Sequence, residues 1–153
     1  MRKKGYTFIE LLIVIAIIAI LSAGVVFSFG YSYRNKLENS AKILASDLSW
    51  ARFSAISKGI YYAVEFYPSY KTKNWEYRIK RGKDQKIVKQ VLFEKGIHIV
   101  NVNFPNMVGN LYFYPNGSPS SGGTITLQDA MKEMIFVKIE AAVGRIRVTG
   151  KDE

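Results

Sequence analysis

Residues 5–29 read GYTFIELLIVIAIIAILSAGVVFSF, an apolar run with one charged side chain, Glu10, near its start. Arg2, Lys3 and Lys4 precede it. From Leu11 to Phe27, with its flanks, the run is long enough as a helix to cross roughly 30 Å of hydrocarbon at about 1.5 Å per residue. Three readings fit a basic stretch followed by such a run: a cleaved secretory signal, a plain membrane anchor, or a leader clipped before the apolar run. Ser22-Ala23-Gly24 is a passable small-residue cleavage site for the first. The basic flank favours a cytoplasmic N-terminus, leaving everything after Phe29 outside.

Glu10 weighs against a signal peptide. An ionisable group inside an apolar span costs about 2.5 to 3.5 kcal/mol at mid-helix and less near an end, so it normally has a partner. Glu10 lies about one helical turn from Tyr6. A cut between Gly5 and Tyr6 makes a new α-amino cation at helix spacing from that carboxylate, or offers it to a neighbouring subunit's Glu10.

The whole chain has 153 residues, no cysteine and a formal net charge of +10. That length suits one domain with an appendage. The missing cysteine excludes a disulfide framework and thiol chemistry. Lys and Arg outnumber Asp and Glu by 22 to 12, a balance compatible with nucleic acid, anionic lipid or plain solubility. Removing residues 1–5 takes away three cations, so the side-chain sum falls to 10 − 3 = +7.

Beyond Phe29 the pattern turns amphipathic. Leu37, Ala41, Leu44, Leu48, Ala51 and Ala55 recur at steps of four and three, and Lys58-Gly59 closes the helix. The spacing predicts one helix from Tyr6 to Ser57, weakened at Gly24 and Gly30, with a transmembrane helix followed by a separate soluble helix as the alternative. From Ile60 onward, short alternating runs predict antiparallel strands in a small meander: IYYAVEF, WEYRIKR, KIVKQVLFE, IHIVNVNF, NLYFY, TITL, MIFVKIE and GRIRVT. Pro, Gly, Asn and Ser clusters separate them.

The stretch KKGYTFIELLIVIAIIAIL resembles the leader of type IV pilins and type II secretion pseudopilins. The resemblance implies that a prepilin peptidase cleaves after Gly5, that Tyr6 becomes the methylated terminus, and that Glu10 guides assembly. Tyrosine at position 6 departs mildly from the commoner phenylalanine. Farther on, FYPNG, GGTITL and VKIEAAVGRIRVTG are similar to the signature of the GspH/FimT family of minor pseudopilins and minor pilins; the likeness is weak between Tyr67 and Phe104. It implies an α+β, pilin-like fold, with a long N-terminal helix, transmembrane in its first half and amphipathic in its second, packed on an antiparallel β-sheet. The expected organisation is a leader at 1–5, an assembly helix at 6–29, its amphipathic continuation at 30–59 and a β-rich periplasmic domain at 60–153. Expected partners are prepilin peptidase, other pilins or pseudopilins of a secretion pseudopilus or pilus, and the inner membrane. The chain would sit at or near a filament's tip.

Signs of catalysis are sparse. The single histidine, His98, alternates with Ile97 and Ile99, which predicts a polar-face position without a neighbouring ligand or base. No serine sits in a nucleophile-elbow context. Asp47, Asp84, Asp129 and Asp152 are too scattered for a calcium loop, which separates the chain from the calcium-binding major pseudopilins. Neither an enzyme nor a cofactor is expected.

Two basic features remain. Lys71, Lys73, Arg78, Lys80, Arg81, Lys83, Lys86 and Lys89 crowd one hairpin, with Tyr70, Trp75 and Tyr77 among them. They read either as charges that deter edge-to-edge pairing or as a footprint for a polyanion. In Gly144-Arg145-Ile146-Arg147, residues two apart on a strand share a face about 6.5 to 7 Å apart, so two guanidiniums stand side by side. This GRxR pattern resembles the motif through which FimT-type minor pilins are thought to bind DNA, making DNA a further expected partner through Arg145 and Arg147. A solubilising or subunit-contacting pair is the competing reading.

Overall fold

A computed structural model describes residues 7–68, 75–104 and 110–150; at 22–33 and 68 only the backbone path is described. Among the described residues a single α-helix, α1 (Phe8–Lys58, 51 residues), is followed by eight strands. The helix runs unbroken past Gly24 and Gly30, and ends at Gly59 in the left-handed conformation. Its first residue is Phe8, capped by extended Thr7 (φ −81°, ψ 152°); the expected start, Tyr6, lies outside the described residues.

The two halves of α1 meet different surroundings. Large apolar side chains from Phe8 to Leu21 are half or more exposed. Leu37, Ala41, Leu44, Leu48, Ala51 and Ala55, all predicted to share a face, are buried against the strands. Each leucine removed from water there stabilises by about 1.5 to 3 kcal/mol. Among the described residues no helix is long and apolar enough to cross a membrane. The predicted span Leu11–Phe27 enters positions whose side chains are not described.

The strands are β1 (Tyr62–Pro68), β2 (Trp75–Arg81), β3 (Lys86–Leu92), β4 (His98–Asn103), β5 (Asn110–Phe113), β6 (Gly123–Gln128), β7 (Met134–Ile139) and β8 (Ile146–Thr149). Every predicted run holds one. They do not form a single meander: two antiparallel sheets are ordered β3-β2-β1-β5 and β4-β6-β7-β8. Strand β5 returns across the domain to pair with β1, Tyr62 opposite Phe113 and Val64 opposite Leu111. Those four side chains are fully buried, so the apolar face of β5 decides its partner. Elsewhere burial alternates only in part: β6 buries three residues in a row, and β3 is almost wholly exposed. In β4 His98 is exposed between buried Ile97 and Ile99, as its spacing predicts.

Candidate functional site: the helix cap and the Arg52 corner

Two regions bear on function, one at each end of the helix. At the start, Thr7 and Glu10 form a capping box. The Thr7 amide donates to Glu10 Oε2 at 2.8 Å and the Thr7 hydroxyl to the same oxygen at 2.9 Å, while the Glu10 amide donates to Thr7 Oγ1 at 3.4 Å. Reciprocal bonds of this kind satisfy amides that a helix start leaves without partners, and the helix dipole favours a carboxylate there. Glu10 therefore has local partners in the uncut chain. The signal Thr-x-x-Glu stands in the sequence at 7–10; the significance of Thr7 is added by the geometry. Gly5 and Tyr6 lie outside the described residues, so the helix spacing expected between Tyr6 and Glu10 has no counterpart here.

The basic hairpin is less cationic than its sequence. Arg78 pairs with Glu76 at 2.8 Å, Lys80 with Glu65 at 2.8 Å, Arg81 with Asp84 at 3.4 Å and Lys89 with Asp47 at 2.5 Å. Pairing across β1–β2 brings Lys80 beside Glu65, and packing on the helix brings Lys89 to buried Asp47. Lys83 and Lys86 are exposed, while Lys71 and Lys73 lie outside the described residues. The polyanion footprint thus loses four of its eight cations to carboxylates.

Asp47 does more than neutralise. Its Oδ2 accepts from the Tyr77 hydroxyl at 2.7 Å and its Oδ1 from Lys89 Nζ, so one helical side chain holds both β2 and β3. Burial, and next the adjacent Asp47 carboxylate, push the Tyr77 phenol above its ordinary pKa of 10.0.

At the far end of the helix the GRxR residues divide. Gly144 and Arg145 belong to the turn between β7 and β8, and only Ile146 and Arg147 are in the strand. The turn is closed by the Glu140 amide donating to the Arg145 carbonyl at 2.9 Å and the Gly144 amide donating to the Glu140 carbonyl at 2.8 Å. With Ile139 opposite Ile146 and Lys138 opposite Arg147, Glu140, Arg145, Lys138 and Arg147 share the outer face. Arg147 reaches diagonally to Glu140, 2.5 Å away. The Arg145 side chain is exposed and has no ion-pair or hydrogen-bond partner among the described residues. Of the two guanidiniums expected side by side, that of Arg147 is held by a cross-strand carboxylate, and that of Arg145 has no such partner among the described residues.

A third arginine reaches this turn. Half-buried Arg52 of α1 donates through Nε to the Gly117 carbonyl at 2.8 Å, tying the Pro115-Asn116-Gly117 loop to the helix. Gly144, at φ +62°, lies against the same side chain: a Cβ there would stand 2.9 Å from Arg52 Nε and 2.9 Å from the Gly117 carbonyl. The glycine that opens GRxR is required by a left-handed backbone and by the arginine passing beneath it. Likewise, a Cβ on Gly123, in the GGTITL segment, would collide with the Asn103 carbonyl, where β4 crowds β6. Nothing in the sequence singled out Arg52, which looks like one more cation on a solvated helix face. Among the described residues there is no cluster of three or more metal-ligating side chains.

Residues 1–26 match the family model described as the prokaryotic N-terminal methylation motif. No curated protein sequence matches the chain. Solved structures do resemble it. The type IV minor pilin FimU of Pseudomonas aeruginosa (strain PAO1) aligns at a TM-score of 0.59 with 19% identity, over 78% of this chain and 92% of that one. The minor pseudopilin EpsH from the type 2 secretion system of Vibrio cholerae aligns at 0.60 with 14% identity, over 74% and 96%. The fold is pilin-like: an N-terminal helix packed on antiparallel sheets.

Proposed function

We propose that the chain is a minor pilin or pseudopilin, a structural subunit stored in the inner membrane through the first half of α1 and moved into a filament after its leader is removed. The observation that carries this reading is the methylation motif over residues 1–26 standing on a 51-residue helix. From Phe8 to Leu21 its large apolar side chains are half or more exposed. Burial of that surface, first in lipid and then among other subunits' helices, supplies the driving force. Prepilin peptidase would cut after Gly5 and methylate Tyr6, and the new amine would compete with Thr7 for Glu10 and set the subunit's register. Ile43, Trp50 and Phe53, exposed on the second half of α1, extend the apolar surface outward along the helix and fit the same packing role. The filament is a secretion pseudopilus or a type IV pilus, with the chain at or near its tip. The processing step is tested by incubating the full chain with prepilin peptidase and S-adenosylmethionine as methyl donor and reading its mass. A product beginning at methylated Tyr6 supports the reading, and an uncut chain removes it.

A second reading is favoured by one observation, the exposed Arg145 side chain without a partner among the described residues, at the end of the molecule farthest along the helix from the apolar half. In that reading the chain is a minor pilin that binds DNA during uptake, through the GRxR turn.

A further inference from the structure

Resting on the DNA reading, we propose that the two cations engaging phosphate at this end are Arg145 and Arg52 rather than Arg145 and Arg147. Arg147 is held by Glu140 at 2.5 Å through Nη2, so its charge is already offset by a carboxylate that would sit beside, and repel, a phosphate. Arg52 is differently committed. Only its Nε has an acceptor among the described residues, the Gly117 carbonyl, which leaves both terminal nitrogens as donors. A guanidinium anchored through one nitrogen presents the other two in a fixed plane, the geometry that suits phosphate oxygens.

Arg145 and Arg52 are coupled through Gly144. The glycine lies against the Arg52 side chain, and Arg145 is the next residue, its Cα about 3.8 Å farther along the chain. The Arg52 side chain thus supports the turn that displays Arg145. Position also selects the ligand class. Arg52 lies 52 − 8 = 44 residues beyond the first residue of α1, roughly 66 Å along its axis at 1.5 Å per residue. The pair stands far from a bilayer that holds the start of the helix, so a soluble polyanion fits better than a lipid headgroup.

The test is binding of the full chain, in non-ionic detergent, to duplex DNA of mixed sequence across a salt series. Each phosphate that the protein no longer neutralises lowers the magnitude of the negative slope of log K against log salt by about 0.9. Arg145→Gln and Arg52→Gln should each lower it by about 0.9, whereas Arg52→Lys, which keeps the charge but loses the planar donor set that holds Gly117, should hold the parent slope. If Arg52 only supports the turn, Arg52→Lys falls with Arg52→Gln and the assignment fails. Glu140→Gln should release Arg147 and steepen the slope by about 0.9, a readout that does not depend on how well Arg52 variants fold. An unchanged slope in Glu140→Gln overturns the claim that Arg147 is withheld. A decrease in Arg145→Gln without one in Arg52→Gln leaves the DNA reading standing and removes this inference. No decrease in Arg145→Gln removes both.

Discussion

Lys89 on β3 and Asp47 on the helix meet at 2.5 Å, with Asp47 buried and Lys89 partly in water, 44% exposed. With the Tyr77 hydroxyl on the other oxygen, this ion pair fastens the edge hairpin to the helix that carries the rest of the molecule. Removing the buried partner leaves the phenol with a weaker acceptor, whereas removing the exposed partner leaves the carboxylate its Tyr77 bond.

Asp47→Asn should accordingly cost about 2 kcal/mol, the scale of hydrogen bonds to a charged group. Lys89→Met should cost less than about 1 kcal/mol, the scale of a partly solvated ion pair. Urea unfolding of both variants checks the order; Lys89→Met as the more damaging change would contradict the placement of Asp47.

The raised Tyr77 pKa gives a pH dependence with a definite sign. Above pH 10.0, the ordinary value, the unfolded chain gives up a phenolic proton that the native state keeps. The native state then binds more protons, so stability falls as pH rises. Below that value both states are protonated and the contribution is fully present. Tyr77→Phe should therefore be less stable than the parent near neutrality, and the gap should narrow above pH 10.0. Thermal melts of the two proteins across that range measure it.

Gly144→Ala should destabilise by about 1 to 3 kcal/mol, the cost of a strained backbone position. The destabilisation should be smaller in an Arg52→Ala background, where one of the two close approaches is gone, without vanishing, because the Gly117 carbonyl and the left-handed backbone remain. A double-mutant cycle measures the coupling; strict additivity would deny that Arg52 shapes this turn.

The exposed apolar residues on the second half of the helix make the opposite kind of prediction. Ile43→Asp should change the melting of the isolated chain little, within about 0.5 kcal/mol for a surface site, yet reduce incorporation into filaments. Equal incorporation of variant and parent would leave Ile43 without a role in packing.

Much of this architecture was legible in the order of residues. The four-and-three spacing from Leu37 to Ala55 names the buried helix face, and two-residue alternation places each of the eight strands. The division into two sheets was not legible, since the choice of β1 as partner for β5 is made by long-range burial of Leu111 and Phe113. At the turn, sequence spacing places Arg145 and Arg147 on one face but is silent about the cross-strand reach of Glu140 to Arg147. Arg52 lies 144 − 52 = 92 residues from the glycine it touches. The Thr7–Glu10 box is the contrary case, a local pattern open to reading, because a cap needs only neighbours three residues apart.

Storage in the membrane until cleavage is tested most directly by replacing Gly5 with valine in the full chain, expressed with its prepilin peptidase and partner pilins, and following the protein by immunoblot in membrane and sheared-filament fractions. The variant should stay at precursor mass in the membrane and be missing from filaments, while the parent appears there shortened. Variant chains cut and incorporated at the parent's level would contradict that storage.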